Sequence, residues 1–562
     1  MKNKIILILI ICIAAILRLY GLGSVPIELN RDEASIGYTS YLLLKTGADE
    51  YGRKWPLNLE SFGDWKLPVY EWATIPSVAL FDLSPWSVRL PSAVAGIVAV
   101  YLLYQLTLML ITSQKYSYIF AILTALFLAI SPWHIHFSRM AYEANLGLTL
   151  FLVGTILMLH FINKQKISAL LFSGIFFGLT MICYHAFQIV TPLLLVLLIF
   201  IFRKRIQLNP PRQISIWFLF IGLVITPIIL LFTSGVTHSN QVKLSGLSIF
   251  EEQTYYLRLF NKRQYFNENQ TMLAKFYTNI PMEFLRQLFL NSTLALNPDF
   301  LFINGAGHGS HDIVGIGKFY SAMLPLFAIG LITLFSRHAL FTSNGRWLII
   351  AWLIVGLLPA IITWQPAHAT RSYAVLIPLL LLASQGSFWL YQALRKRSGV
   401  AQYLIVCMFF FILFYQVGSM LVTYYIVSPQ RDIDNWTWYA KDMTNFLSEA
   451  KNRVNHVYVQ GNSWSPYIFY LFYAQIDPQS AQEQLVHLPP DIEGFRHVTK
   501  IDTLEFGDVP FQHLLETGES YAIFTPLSQL PAGFSQDPQQ FDVYEVFSNR
   551  HSKESYVAIL KN

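Results

Sequence analysis

The sequence predicts a polytopic α-helical membrane protein with long outer loops and a small C-terminal outer α/β domain. Of the 562 residues, 54% are hydrophobic and only 13% are charged, about half the charged fraction of a typical soluble domain. A bilayer core needs about 20 apolar residues per helix, and stretches of about that length recur along the chain. The uneven placement of Lys and Arg orients these stretches in the membrane.

Eleven apolar stretches are candidate membrane spans, so we expect about 11 transmembrane helices. They are residues 4–22, 87–111, 116–131, 143–163, 167–183, 187–202, 213–233, 318–336, 345–363, 372–393 and 399–426. The first stretch starts like a signal peptide. No small-residue cleavage site follows it, so we expect a retained anchor.

The basic residues predict which side of the membrane each loop occupies. With the N-terminus in the cytoplasm, the cytoplasmic segments carry fourteen Lys and Arg residues. The short outer loops (131–142, 184–186 and 364–371) then carry only Arg139 and Arg371. The positive-inside rule therefore predicts a multi-pass protein of the cell membrane with its C-terminal domain outside.

The large polar segments all fall on the outer side in this orientation. We expect residues 1–427 to form a transmembrane domain with long outer loops at about 23–86 and 234–317. Residues 428–562 alternate strand-like with helical runs, which predicts an outer α/β domain.

Composition also excludes some classes of partner and site. The basic residues are scattered between apolar runs and not clustered with aromatic residues, so nucleic acid is not an expected partner. The three cysteines, Cys12, Cys183 and Cys407, lie in apolar segments and offer neither a disulfide framework nor a CxxC metal site. Membrane lipids are the expected surroundings.

The first outer loop offers a pair of acidic residues, Asp32 and Glu33, just before a helical stretch. One interpretation is a capping box, in which Asn30 caps the helix and Glu33 reaches back from its third position. The other is a catalytic carboxylate at the membrane surface that takes a proton from an acceptor hydroxyl. The two interpretations are compatible, because a capped helix is a rigid mount for a base.

Farther along this loop, Asp64, Trp65, Lys66 and Pro68 gather where the chain returns to the membrane. One interpretation is an interfacial anchor, with Trp65 at headgroup depth and Lys66 extended toward water. The alternative is that Lys66 binds a phosphate.

Arg139 and Arg371 occupy short outer loops, where the orientation rule disfavours cations. A phosphate at headgroup level is a natural partner for such arginines. His368 and Arg371 also stand at the expected start of a helix, which favours anions. The alternative for both arginines is contact with ordinary lipid phosphate.

Histidines and a tyrosine in outer segments are weaker candidates for a substrate cavity. His308 and His311 precede Asp312 in a spacing that can ligate zinc, but contacts to substrate hydroxyls are the more common role. Tyr184 and His185, in a very short outer turn, either line the cavity or pack at the interface. We expect no cofactor, and no metal.

Several of these motifs, in this order, resemble the protein O-mannosyltransferase-like superfamily of GT-C fold glycosyltransferases, which includes the lipid A aminoarabinose transferases. The resemblance spans roughly residues 15–400. Its motifs are Asp32-Glu33, the acid-x-Lys-x-Pro segment 64–68, Ser87 to Ser92, the run from Ser131 to Asn145, and His368 to Arg371 followed by Pro378.

The resemblance implies an inverting transferase that uses a polyprenyl-phosphate-linked sugar donor. By position, Asp32 matches the catalytic base, Asp64 the second acidic residue and Lys66 the donor-phosphate lysine. The family often has two prolines after this lysine, whereas Leu67 precedes the single Pro68 here. The acceptor remains open among a lipid, a glycan and a protein.

Two other classes of function stay open at the sequence level. A transporter or flippase for a lipid-linked glycan needs ionisable residues deep within the spans, and these spans are almost free of charge. A ligase that moves a whole glycan from a diphosphate carrier relies on a late outer loop. The early Asp32-Glu33 pair therefore favours the glycosyltransferase.

Overall fold

The computed structural model describes most of the chain. The described residues are 2–112, 114–206, 212–233, 248–249, 252–264, 272–307, 309–337, 339–395, 400–461, 465–491, 495–516, 518–535 and 538–562. They divide into two compact units. Unit one comprises Met1–Arg18, Val94–Ser138 and Tyr142–Leu421; unit two comprises Leu19–Ala93, Arg139–Ala141 and Val422–Asn562.

Helices dominate the chain as far as Arg431. They are α1 (Lys2–Leu19), α2 (Arg31–Thr46), α3 (Val69–Phe81), α4 (Pro85–Leu110), α5 (Gln114–Ile130), α6 (Pro132–Ser138), α7 (Glu143–Lys164), α8 (Ile167–Met181), α9 (Phe187–Phe202), α10 (Arg212–Thr233), α11 (Glu252–Arg263), α12 (Met272–Tyr277), α13 (Ile280–Ala295), α14 (Leu324–Thr333), α15 (Ser343–Ile361), α16 (Leu376–Arg395), α17 (Val400–Val422) and α18 (Ser428–Arg431).

In the described part of the chain, seven helices are long and apolar enough to cross a membrane, or eight if α5 and α6 form one bent span. The multi-pass architecture is thus confirmed, whereas the count of eleven is not. Three predicted spans account for the difference. Helix α1 carries three basic residues, α8 has 15 residues and α14 has 10, which is short for a bilayer.

The break between α5 and α6 bends this pair by 59°. Pro132 is the first residue of α6, and its missing N–H interrupts the helical hydrogen-bond ladder. In unit one, the buried Arg18 donates to the carbonyls of Ala129 and Leu128 at the end of α5, at 3.1 and 3.3 Å. Carbonyls at a helix C-terminus lack the usual N–H donor four residues on, and Arg18 gives each of these two a hydrogen bond.

The C-terminal residues form the predicted α/β arrangement. The helices are α19 (Ala440–Ala450), α20 (Pro466–Tyr473), α21 (Pro478–Gln484), α22 (Phe511–Glu516) and α23 (Ala532–Ser535). The strands are β3 (His456–Gln460), β4 (Val486–His487), β5 (Val498–Ile501), β6 (Leu504–Gly507), β7 (Tyr521–Pro526), β8 (Val543–Phe547) and β9 (Tyr556–Lys561). They form one seven-stranded sheet in the order β4-β5-β6-β3-β7-β9-β8.

Strand β3 is parallel to β6 and β7, and the remaining pairs in this sheet are antiparallel. Five consecutive residues of the interior strand β7 are buried, as expected for a strand covered on both faces. Ile523 and Ile559 pair across β7 and β9 and pack with Leu514 and Phe534 in the core.

The predicted first outer loop, at about residues 23–86, folds within unit two. Helix α2 is followed by a short antiparallel hairpin of β1 (Leu59–Ser61) and β2 (Asp64–Lys66). Phe62 and Gly63 form the two-residue turn between these strands. The hairpin carries two of the candidate site residues, Asp64 and Lys66.

Candidate functional site

The hairpin and α2 bring three of the predicted residues together in unit two. The Lys66 ammonium nitrogen lies 3.3 Å from Oδ1 of Asp32 and 3.0 Å from Oδ2 of Asp64. Lys66 is only 7% exposed, whereas Asp32 is 57% exposed. A neighbouring ammonium stabilises an ionised carboxylate. The cluster therefore presents an accessible carboxylate beside a shielded cation.

Helix α2 places Asp32 in its first turn. The predicted capping box is present: the Glu33 N–H donates to the Asn30 side chain at 2.8 Å, and the Asn30 N–H donates to Oε2 of Glu33 at 3.2 Å. This cap fixes the start of the helix, and Gly47, with a φ of 67°, caps its C-terminus directly after Thr46. Asp32 thus stands on a capped helix whose N-terminus favours an anion.

Glu33 is a buried structural carboxylate in this unit. Arg89 of α4 forms a two-point ion pair with it, at 2.9 and 3.0 Å, and the Ala141 N–H donates to it at 3.0 Å. Glu33 is 2% exposed and Arg89 is fully buried. These contacts together with the capping box occupy both carboxylate oxygens, so Glu33 positions α2.

Arg89 was part of the predicted motifs only through its place between Ser87 and Ser92. Its Nη1 donates to the carbonyls of Leu22 and Pro26, at 3.2 and 2.9 Å, and its Nη2 donates to the carbonyl of Glu28 at 2.7 Å. A cation at the start of an apolar span is the signal that could have identified it.

Arg139 has contacts of a structural kind. Its Nη2 donates to the carbonyls of Gly21 and Val25, at 3.1 and 2.8 Å. Its guanidinium carbon lies 4.8 Å from the ring centroid of Tyr425. The side chain is fully buried, and its contact with a phosphate stays a prediction.

The remaining described candidates lie in unit one. The rings of His311 and His368 are 4.9 Å apart, and Nδ1 of His368 is 2.9 Å from Oγ1 of Thr370. Arg371 is partly buried and donates to Oγ1 of Thr363 at 3.2 Å. These side chains form a polar, aromatic patch with one guanidinium.

Tyr184 and His185 are the other unit-one candidates. Burial raises the pKa of Tyr184 to about 12, although a hydrogen bond with Thr370 and the charge of Arg371 act in the opposite direction. Burial also lowers the pKa of His185. Tyr184 is therefore a neutral hydroxyl at ordinary pH, suited to hydrogen bonding with a sugar. His308 lies outside the described residues.

Metal ligands were a further possibility for the histidines. Within the described ranges, no group of three or more His, Cys, Asp or Glu side chains is arranged to hold a metal ion. His136 instead lies 2.9 Å from the carbonyl of Ser310 through Nε2. The His311 ring adjoins the rings of Tyr142 and His368, in aromatic contacts.

Comparison with known proteins gives a family match for part of the chain. Residues 66–230 match the model of the family described as dolichyl-phosphate-mannose-protein mannosyltransferase. This match begins at Lys66 and confirms the predicted resemblance over that range. Among curated proteins, none matches the chain by sequence.

Solved structures match over nearly the whole chain. ArnT from Cupriavidus metallidurans bound to undecaprenyl phosphate is 11% identical, with a TM-score of 0.54, over 98% of this chain and 97% of ArnT. The apo form of ArnT is also 11% identical over the same shares, with a TM-score of 0.52. At this identity the similarity establishes the fold alone, and it confirms the predicted GT-C architecture.

Proposed function

For a multi-pass membrane protein with the GT-C fold of membrane glycosyltransferases, we propose transfer of a sugar from a polyprenyl-phosphate donor to an acceptor hydroxyl on the outer face of the membrane. The observation that carries this proposal is the contact of Lys66 with both Asp32 and Asp64. The match of residues 66–230 to a mannosyltransferase family model supports it. So does the shared fold with ArnT, whose structure holds undecaprenyl phosphate.

Asp32 is the proposed catalytic base. Its exposed carboxylate accepts the proton of the acceptor hydroxyl as the hydroxyl oxygen forms a bond to the anomeric carbon of the sugar. The bond from that carbon to the phosphate oxygen breaks on the opposite face, which inverts the anomeric configuration. The products are the glycosylated acceptor, the protonated Asp32 and the polyprenyl phosphate.

Lys66 couples the two halves of this reaction electrostatically. The donor is a phosphodiester with one negative charge, and the released monoester gains a second. When Asp32 takes the proton, it loses the charge that faces Lys66 at 3.3 Å. The ammonium is then less neutralised as the phosphate becomes more negative, so it stabilises the transition state more than the ground state.

The other candidate residues take supporting roles in the proposal. Asp64 holds the Lys66 ammonium together with Asp32, and Glu33 fixes α2 through Arg89. For Arg371 and the adjacent His368, in unit one, contact with a phosphate stays a prediction from the sequence. Tyr184, His185 and His311 are proposed as polar contacts to the sugar or the acceptor.

A transfer assay with defined donors tests this proposal. Purified protein in lipid nanodiscs is given a labelled sugar on polyprenyl monophosphate, the same sugar on polyprenyl diphosphate, and a mixture of acceptor classes from membranes. We expect transfer from the monophosphate donor with release of polyprenyl phosphate. Transfer from the diphosphate donor alone would instead indicate a ligase. Movement of the intact donor across liposomes without transfer would indicate a flippase.

A further inference from the structure

We propose that Phe62 is a positioning residue for Lys66, held in place by the outer C-terminal residues. This inference rests on the proposed role of Lys66 at the donor phosphate. It assigns to Phe62, Tyr467 and Arg496 a part in donor binding without direct contact to the donor.

The backbone at Phe62 is the first observation. Phe62 has a φ of 44° and Gly63 a φ of 76°. A two-residue hairpin turn with positive φ at both positions favours Asn, Asp or Gly at the first, and a bulky residue there is an outlier. Such a residue persists where its surroundings determine its conformation, and it often marks a functional site.

The C-terminal residues of unit two supply those surroundings. The Phe62 N–H donates to the hydroxyl of Tyr467 at 3.0 Å, and the Arg496 N–H donates to the Phe62 carbonyl at 3.0 Å. The Tyr467 hydroxyl in turn donates to Glu50 at 2.9 Å. Both polar backbone groups of the turn residue are therefore satisfied by residues more than 400 positions away.

The ring of Phe62 contacts two cations. The Lys66 ammonium nitrogen and the Arg31 guanidinium carbon each lie 4.7 Å from its centroid. Arg31 also lies 5.2 Å from the ring centroid of Phe495. The Phe62 side chain is fully buried, so this aromatic face is fixed.

A fixed ring constrains where a flexible lysine can place its charge. Cation–π attraction is stronger when the cation is shielded from water, and Lys66 is nearly buried. With the ring on one side, the ammonium is directed to Asp32 and Asp64. Phe62 thus stabilises the charged lysine at the position where the proposed donor phosphate meets the proposed base.

A double-mutant cycle on equilibrium binding of radiolabelled polyprenyl phosphate tests this coupling. Phe62→Leu keeps an apolar side chain but removes the aromatic face, and Phe62→Tyr keeps it. We expect Phe62→Leu to raise the Kd about 2- to 30-fold, and Phe62→Tyr to stay within about 2-fold of wild type. In a Lys66→Ala background, Phe62→Leu should change the Kd by less than about 2-fold, because the coupled partner is gone.

Controls separate this role from general folding. Phe534→Leu, in the core of the same unit, should lower the melting temperature and leave the Kd unchanged, and Tyr467→Phe should raise the Kd only when Lys66 is present. An equal effect of Phe62→Leu with and without Lys66, or no effect at all, would overturn the positioning role. A Lys66→Ala variant with normal affinity would instead overturn the proposed donor contact, and this inference with it.

Discussion

The ammonium of Lys66 lies 3.3 Å from the carboxylate of Asp32, so the proposed donor cation and the proposed base form one ion pair. Asp64 holds the same ammonium at 3.0 Å. Neither residue therefore acts as an isolated group, and a change at one alters the charge that the other meets. Substitution of either Asp32 or Lys66 is therefore expected to change the electrostatic surroundings of the other.

Lys66→Ala should weaken donor binding by about 1.5–3 kcal/mol, the usual contribution of a charge-assisted hydrogen bond. This corresponds to a rise in Kd of roughly 10- to 150-fold. Arg371→Ala should have an effect of similar size, and Lys500→Ala, which removes an exposed lysine of β5, should have none. Binding of polyprenyl phosphate to purified protein measures all three. Normal affinity in both Lys66→Ala and Arg371→Ala would place the donor site elsewhere.

Arg89→Ala should destabilise the folded protein by about 3–5 kcal/mol, because it leaves the buried Glu33 carboxylate without its cation. The double variant Glu33→Gln/Arg89→Gln should be less destabilised than Arg89→Ala, since no unpaired buried charge remains. The melting temperatures of the purified variants in one detergent give the order of their stabilities. If Arg89→Ala unfolds at the wild-type temperature, the ion pair does not hold α2.

Some of this site follows from local sequence, and some does not. The capping box of Asn30 and Glu33 was predictable because its partners lie three residues apart. The ion pair of Glu33 with Arg89 was not, because it joins positions 56 apart, and a capping box alone already accounts for Glu33. The loop position of Arg139 predicts a phosphate contact, whereas its hydrogen bonds to the carbonyls of Gly21 and Val25 join positions more than 100 apart and were not predictable.

The fold shows the same division between local and distant information. Hydropathy predicted every long apolar helix, because the composition of about 20 residues decides whether a stretch is apolar enough for a membrane. It did not decide how many of these helices are long enough to span, which depends on where each helix ends. The role of Phe62 was hidden because an aromatic residue near Trp65 resembles an interfacial anchor, while its contacts come from Tyr467 and Arg496.

The stability of the protein should fall as pH rises from about 6.5 to 8.5, and Glu50→Gln should reduce this fall. Burial raises the pKa of Glu50 from 4.5 to about 8, despite hydrogen bonds from Tyr467 and Ser61. The folded state therefore binds a proton that the unfolded state has released. The stabilisation that protonated Glu50 contributes is fully present below pH 4.5 and is lost as pH rises through 8.

Two neighbours of Glu50 define the window for this measurement. Burial lowers the pKa of His487 from 6.5 to about 4, which costs stability only as pH falls below 6.5. Burial also raises the pKa of Glu60, so a smaller pH dependence should remain in Glu50→Gln. Melting temperature between pH 6.5 and 8.5 is the readout. Identical slopes in wild type and Glu50→Gln would show that Glu50 is ionised in the folded protein.

The C-terminal domain should be outside the cell membrane. We expect a cysteine at the exposed position Gln512 to react with a membrane-impermeant maleimide in intact cells, after Cys12, Cys183 and Cys407 have been replaced. A cysteine at Lys164, in a predicted cytoplasmic loop, is the matched control and should react only after permeabilisation. Labelling of Lys164 but not Gln512 in intact cells would show that the predicted orientation is wrong and that Asp32 and Lys66 face the cytoplasm.

Asp32→Asn should lower transfer by at least about 10²-fold, because an amide cannot accept the proton of the acceptor hydroxyl. Asn is nearly isosteric and still tolerated in the first turn of a helix. The loss of a half-exposed ion pair with Lys66 should cost about 1 kcal/mol of stability or less. Donor binding should persist, since Lys66 keeps its ring contact with Phe62 and its partner Asp64.

The measurement is transfer of labelled sugar by purified Asp32→Asn, alongside donor Kd and melting temperature. Asp64→Asn is the matched comparison, because it removes the other carboxylate at the same ammonium but leaves the exposed base in place. We expect Asp64→Asn to retain more transfer activity than Asp32→Asn. Near wild-type transfer by Asp32→Asn, with the folded fraction unchanged, would reduce Asp32 to a charge at the start of α2 and would make Asp64 the next candidate for the base.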